Sequence, residues 1–262
     1  MTTLVDLPQG QLAIAIYEPE VHKGDVILVH GFTGSKEDFD YIAPLLAARG
    51  YRVFAPDLRA QHESPFASDA SGYSLDAFAR DVVAIAHHYN LDRPHLFGHS
   101  YGGATAQRAV AAAPDQFLSL TLFCSGPSAM PKPRFSTMLK EKLEGKSMQE
   151  AWDEFAQEMY ATHPRKELMK KRWLANDPLA LITMSKEIST FASVIPAVAA
   201  TKIPSHVVYG ESDDAWPLDM QDQMAADLSA PVTVIKDAGH CPNEDQPEVT
   251  AKVLADFWDS LV

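Results

Sequence analysis

The residues of this 262-residue chain best suited to nucleophilic chemistry lie around the stretch LFGHSYGGATAQ, where Ser100 stands between two glycines. The apolar run HLFG turns at once into an alanine-rich helical pattern, YGGATAQRAVAAA. So tight a strand-to-helix turn needs small neighbours, which Gly98, Gly102 and Gly103 supply, and the helix that follows directs its positive end toward the hydroxyl. A serine hydroxyl is a weak nucleophile until a base takes its proton, and that base needs a carboxylate to orient it. Ten histidines compete for the role. His240 leads, because DAGHCPNEDQPE is a short glycine-bearing loop after the last predicted strand. His30 is read as shaping the turn after an apolar strand, and His99 as pointing away from the serine. His87 and His88 lie on a helix, solvated or packed, without the partners a metal site requires.

The carboxylate is narrowed by contrast between two loops. ESDDAWP, after the apolar run PSHVVYG, offers Glu211, Asp213 and Asp214, whereas the loop after LTLFCSG offers no acid. Asp213 is preferred over Asp214. The chain order is then Ser100, Asp213, His240, which differs from the order in either familiar serine-protease class. A tetrahedral oxyanion also needs two donors; the backbone N–H of Tyr101 is one, and the turn HGFTGS supplies the second from Phe32.

These residues must be held by elements, and the apolar pattern gives them. QLAIAIYEP, DVILVHG, YRVFAPD, PHLFGHS, FLSLTLFCS, PSHVVYG and PVTVIKD read as strands, several apolar enough to be buried on both faces. Helical spacing covers Lys36 to Arg49, Ser74 to Tyr89, Tyr101 to Ala113, Leu218 to Leu228 and QPEVTAKVLADFWDSL, so the class is α/β with a mostly parallel sheet flanked by helices. The alternation breaks from about Ser128 to Lys202, a stretch with helical segments and no convincing strand. Between Met130 and Glu187 it carries 11 of the 22 Lys and Arg. The organisation expected is a core of residues 1–127 and 203–262 with a helical insertion over 128–202. Trp152, Phe155, Met159 and Trp173 are candidates for the roof of a substrate pocket, with ordinary helix packing as the alternative.

Composition removes several classes of function. A net charge of -13 leaves no concentrated Lys and Arg for phosphate contacts, so nucleic acid is excluded as a partner and a small molecule is expected. Two cysteines, Cys124 and Cys241, without a metal or disulfide spacing, exclude a zinc-finger or disulfide scaffold and fit a reducing, cytoplasmic setting. No leader pattern and no apolar run of membrane length is visible, so no membrane partner is expected.

The motifs HGFTGS, GHSYGG, GESDDAWP and GHCPNEDQPE, in that order and each at the end of a predicted strand, resemble those of the α/β-hydrolase superfamily over essentially the whole chain. GESDDAWP is similar to the family pattern Gly-x-x-Asp-x-x-x-Pro, with Asp213 at the acid position, and the inserted segment corresponds to the family's helical cap. The resemblance implies a serine hydrolase acting on a small, largely apolar ester, lactone or related carbonyl compound, with no metal or organic cofactor. Carbon-carbon bond hydrolases, cofactor-free haloperoxidase-like enzymes and ligand receptors with an intact triad share these features and stand as alternatives. Relatives commonly carry glycines in Asp-x-Arg-Gly-x-Gly-x-Ser, where this chain reads DLRAQHES with Ala60 and His62. Positive φ angles are costly without glycine, so a different loop path is expected, with His62 either exposed or at the pocket rim.

Overall fold

The computed structural model describes residues 2–132 and 134–261. Its strands are β1 (Thr2–Leu7), β2 (Gly10–Tyr17), β3 (Gly24–Val29), β4 (Tyr51–Pro56), β5 (His95–His99), β6 (Ser119–Phe123), β7 (Ser205–Gly210) and β8 (Val232–Ile235). They form one sheet in the order β1-β2-β4-β3-β5-β6-β7-β8. β1 and β2 run antiparallel to their neighbours, and every pairing from β4 to β8 is parallel. The residues of β5, β6 and β7 are all buried, as expected of strands covered by helices on both faces.

From β3 the chain crosses to β4 on one side and then returns to β5 on the other. Such a reversal opens a crevice at the carboxyl ends of β3 and β5, where ligands of open α/β sheets bind. The covering helices of the first half are α1 (Ala43–Ala48), α2 (Leu75–His88) and α3 (Tyr101–Ala112). Between β6 and β7 lie α4 (Phe135–Leu143), α5 (Met148–Ala151), α6 (Gln157–Met159), α7 (Lys166–Ala175), α8 (Pro178–Thr190) and α9 (Ile195–Thr201), with no strand among the described residues. A π turn, Trp152–Ala156, joins α5 to α6. After β7 come α10 (Leu218–Leu228), α11 (Pro242–Asp245) and α12 (Pro247–Asp259). No described helix is long and apolar enough to cross a membrane.

Two buried clusters divide the interior. The larger one lies around the sheet, while Leu139, Leu143, Met148, Trp152, Met169 and Trp173 belong to a second cluster within the β6–β7 segment. The segment is tied to the sheet side by polar contacts. Arg165 Nη2 donates to Asp40 Oδ2 at 2.7 Å, Tyr73 Oη to Asp177 Oδ2 at 2.7 Å, and Arg172 Nη1 to Asp38 Oδ1.

Three sequence expectations need correction. β1 adds a strand beyond the seven expected; only Val5 and Leu7 of this edge strand are buried, so no apolar run marks it. The helix expected over Lys36 to Arg49 is two pieces, a 3-10 turn at Lys36–Phe39 and then α1, which restarts with Pro44 in its first turn, where a missing N–H costs nothing. The DLRAQHES loop keeps positive φ without glycine: Ala60 sits at 59° and His62 at 49°. Polar contacts impose that path. Asp57 accepts from the Lys36 amide at 2.7 Å and its ammonium at 2.8 Å, Ser64 Oγ donates to the Asp57 carbonyl, and Ala60 N donates to Pro65 O. His62 is neither exposed nor at the cavity described below. Its side chain is 1% exposed, and its backbone N–H donates to Asn176 Oδ1.

Candidate active site

Ser100 closes β5 and opens α3 with φ 55° and ψ −117°, a conformation that a side chain adopts only under constraint. The constraint comes from packing. A Cβ on Gly98 would stand 2.3 Å from the Gly102 carbonyl oxygen, and one on Gly102 would stand 2.2 Å from that of Val29. The turn is pinned by Ser100 N donating to Phe123 O at 2.9 Å and by Ser125 Oγ donating to Ser100 O at 2.8 Å.

The loops after β5, β7 and β8 bring three side chains together. His240 Nε2 lies 3.0 Å from Ser100 Oγ, and His240 Nδ1 lies 2.7 Å from Asp213 Oδ1. Asp213 is held by two further donors, Ala215 N at 3.1 Å and Gln221 Nε2 at 2.8 Å. Burial opposes its ionisation, but the hydrogen bond and charge of His240, with these two donors, keep its carboxyl below the usual carboxylate range. Asp214, its neighbour, is exposed. The backbone N–H groups of Phe32 and Tyr101 make no hydrogen bond among the described residues.

His30 and His99 serve the scaffold. His30 accepts from Leu58 N through Nε2 at 2.9 Å and donates through Nδ1 to Gly31 O, stitching the β3 and β4 loops together. His99 turns from Ser100 to the His240 carbonyl, 2.7 Å from its Nε2. His87 and His88 are exposed at the end of α2.

Above Ser100 is a cavity of about 230 Å³. Tyr160, His163, Met169 and Arg172 line it from the β6–β7 segment, and Phe32 and Asn243 from the sheet side. None of the four residues expected at a pocket roof is among its lining. Trp152 and Trp173 are packed inside the second cluster, Phe155 packs against that cluster, and Met159 is 58% exposed. The sequence does not mark this lining set, because Met169 and Arg172 lie on α7, whose rotation is fixed by packing, and Tyr160 and His163 lie in the turn between α6 and α7.

Among the described residues two clusters carry metal-type ligands, and neither has the chemistry to hold an ion. In the first, His99, Cys124 and His240, the imidazole of His240 is engaged on both sides, and burial pushes the Cys124 thiol far up, away from the thiolate a metal needs. In the second, Glu37, His62 and Glu63, the Lys36 ammonium already stands 2.9 Å from Glu37 and 2.8 Å from Glu63.

The sequence pattern of the Alpha/beta hydrolase family matches residues 26–253, and the chain belongs to that family. It is 26% identical to the pyrethroid hydrolase of Sphingobium wenxiniae over 262 aligned residues, covering 90% of this chain and 88% of the relative. A thermophilic esterase from Thermogutta terrifontis superposes with a TM-score of 0.83 at 21% identity, covering 100% of this chain and 99% of the esterase. The enol-lactonase from Burkholderia xenovorans superposes with a TM-score of 0.84 at 17% identity, covering 98% and 100%.

Proposed function

We propose that the protein is a serine hydrolase of small carboxylic esters or lactones, working through an acyl-enzyme. The observation that carries the reading is the relay Asp213–His240–Ser100, continuous at 2.7 and 3.0 Å. In this mechanism His240 Nε2 takes the Ser100 proton as Oγ attacks the carbonyl carbon, and Asp213 stabilises the imidazolium that results. The amides of Phe32 and Tyr101 hold the oxyanion above α3, whose positive end adds to the stabilisation. The imidazolium then gives its proton to the departing alcohol oxygen. A water molecule, deprotonated by the same nitrogen, attacks the acyl carbon and releases the acid and Ser100.

The named activities of an esterase, an enol-lactonase and a pyrethroid hydrolase among similar proteins support the ester and lactone class. In this reading residues 128–202 form a cap over a core of 1–127 and 203–262, and the protein works in the cytoplasm on a small molecule. The cavity of about 230 Å³ is below the usual range of drug-sized sites, which favours short substrates. A fluorophosphonate probe tests the assignment: it should label Ser100 rapidly in the wild type and slowly in His240→Ala. Label mapped to another residue, or equal rates in the two proteins, would refute it.

A further inference from the structure

The substrate is expected from sequence to be largely apolar, yet a buried guanidinium lines the cavity above Ser100. Resting on the reading of Ser100 as nucleophile, we propose that Arg172 selects esters or lactones whose acyl part carries a neutral hydrogen-bond acceptor, a carbonyl or amide oxygen. Plain alkyl chains and carboxylates are disfavoured by the same residue.

Arg172 lies on α7 and is 9% exposed. Of its five N–H bonds, a described partner engages only Nη1, which donates to Asp38 Oδ1. Nε is buried without a partner, and Nη2 makes no hydrogen bond among the described residues. A guanidinium withdrawn from water with donors unused is costly, and a bound acceptor oxygen relieves that cost. An alkyl chain against the same donors cannot, and sites built to hydrogen-bond a substrate reject analogues that lack the group.

Charge decides what kind of acceptor fits. Asp38 already balances Arg172, and Asp38 is itself fixed: Ser35 N donates to its Oδ2 at 3.3 Å and Asn243 Nδ2 to its backbone carbonyl at 2.7 Å. Glu244 lines the same cavity, 3.8 Å from His163 Nε2. Burial, then the charges of Arg172 and Arg165, hold His163 below the usual histidine range, so it supplies no second cation near neutral pH. An incoming carboxylate therefore meets two acids and a cation already paired. A neutral oxygen needs only a free N–H and leaves the Arg172–Asp38 pair intact.

The experiment compares three 4-nitrophenyl esters matched in acyl length: pentanoate, 4-oxopentanoate and hemisuccinate. In the wild type kcat/KM for the 4-oxopentanoate should exceed that for the pentanoate by about tenfold or more, with the hemisuccinate lowest. Arg172→Met should bring the first two within about threefold of each other while fluorophosphonate labelling of Ser100 persists. Asp38→Asn leaves the cation uncompensated and should raise the hemisuccinate relative to the 4-oxopentanoate by about tenfold, a test that stands even if Arg172→Met fails to fold. An equal loss on all three esters in Arg172→Met would make the residue only a tie between α7 and the 36–40 turn, and would overturn the proposal. A wild-type preference for the hemisuccinate, or an unchanged preference in Asp38→Asn, would also overturn it. Failure to label Ser100 overturns the nucleophile reading and this proposal with it, whereas intact labelling with unchanged ratios overturns this proposal alone.

Discussion

His99 Nε2 stands 2.7 Å from the carbonyl oxygen of His240, joining the turn that carries Ser100 to the loop that carries the imidazole beside it. A carbonyl only accepts, so this nitrogen bears the proton. Burial, and then the charge of His240, push His99 down to about 4.

The neutral state of His99 has a consequence for stability, which it shares with His95 and His206. Burial lowers both of these to about 4 as well. Their ordinary value is 6.5, so above that pH folded and unfolded states are equally deprotonated and the full stability is present. As pH falls below 6.5 the unfolded chain takes up protons that the folded one refuses, and stability is lost until about pH 4. Each histidine contributes a slope of up to ~1.4 kcal/mol per pH unit in that window. Melting temperature should therefore fall steeply from pH 6.5 to pH 5, and His206→Gln should flatten the curve. A melting temperature constant over that range would contradict the assignment.

Asp213 and Asp214 are adjacent, but only the first is buried and bonded to His240. An amide at position 213 would donate to Nδ1 and hold the imidazole in the wrong tautomer for taking a proton from Ser100. Asp213→Asn should lower kcat by roughly 10³ to 10⁴, and Asp214→Asn should change it by less than about threefold. Steady-state kinetics on one activated ester checks both, and the reverse order would exchange the two roles.

Much of the architecture was legible because it rests on local chemistry. Unbroken apolar runs marked the buried strands, and the glycines around Ser100 marked a turn that leaves no room for a Cβ. Asp213 and His240 followed because loops at the same end of a parallel sheet converge, whatever their separation along the chain. The surroundings of the cavity were not legible. Whether Trp173 or Arg172, neighbours on α7, faces the cavity depends on how that helix is rotated by its packing, and no local pattern states the rotation. β1 was hidden for a related reason, since an edge strand with two buried residues has almost no apolar signature.

The DLRAQHES loop shows a cost that sequence signalled but did not resolve. Ala60 and His62 accept left-handed backbone, which costs about 1–2 kcal/mol for a residue with a Cβ. Ala60→Gly relieves that strain but loosens the unfolded chain and removes a buried methyl, so it should be neutral or stabilising by up to ~1 kcal/mol. Gly98→Ala should do the opposite, destabilising by more than ~3 kcal/mol, because the added Cβ meets backbone 2.3 Å away that cannot yield. Denaturant unfolding measures both. A loss above ~1 kcal/mol in Ala60→Gly would remove strain from the account of this loop.

Met169 and Trp173 are four residues apart on α7 and both belong to the buried cluster of the β6–β7 segment, but only Met169 also lines the cavity above Ser100. The two should separate stability from selectivity. Trp173 is 2% exposed and its indole Nε1 donates to Met148 O at 3.2 Å, so Trp173→Ala removes a large buried ring together with that hydrogen bond. A loss of about 3–5 kcal/mol is expected, with the ranking of substrates unchanged wherever the variant remains folded. Met169→Ala deletes fewer atoms, and part of the space it leaves opens into the substrate cavity. The variant should favour longer acyl chains, shifting relative kcat/KM across a C2 to C8 ester series by roughly 1–3 kcal/mol for each well-buried methylene admitted. Measuring the series beside the melting temperature checks both outcomes. A changed ranking in Trp173→Ala at unaltered stability, or an unchanged one in Met169→Ala, would mean that the face of α7 turned toward Ser100 has been assigned to the wrong residues.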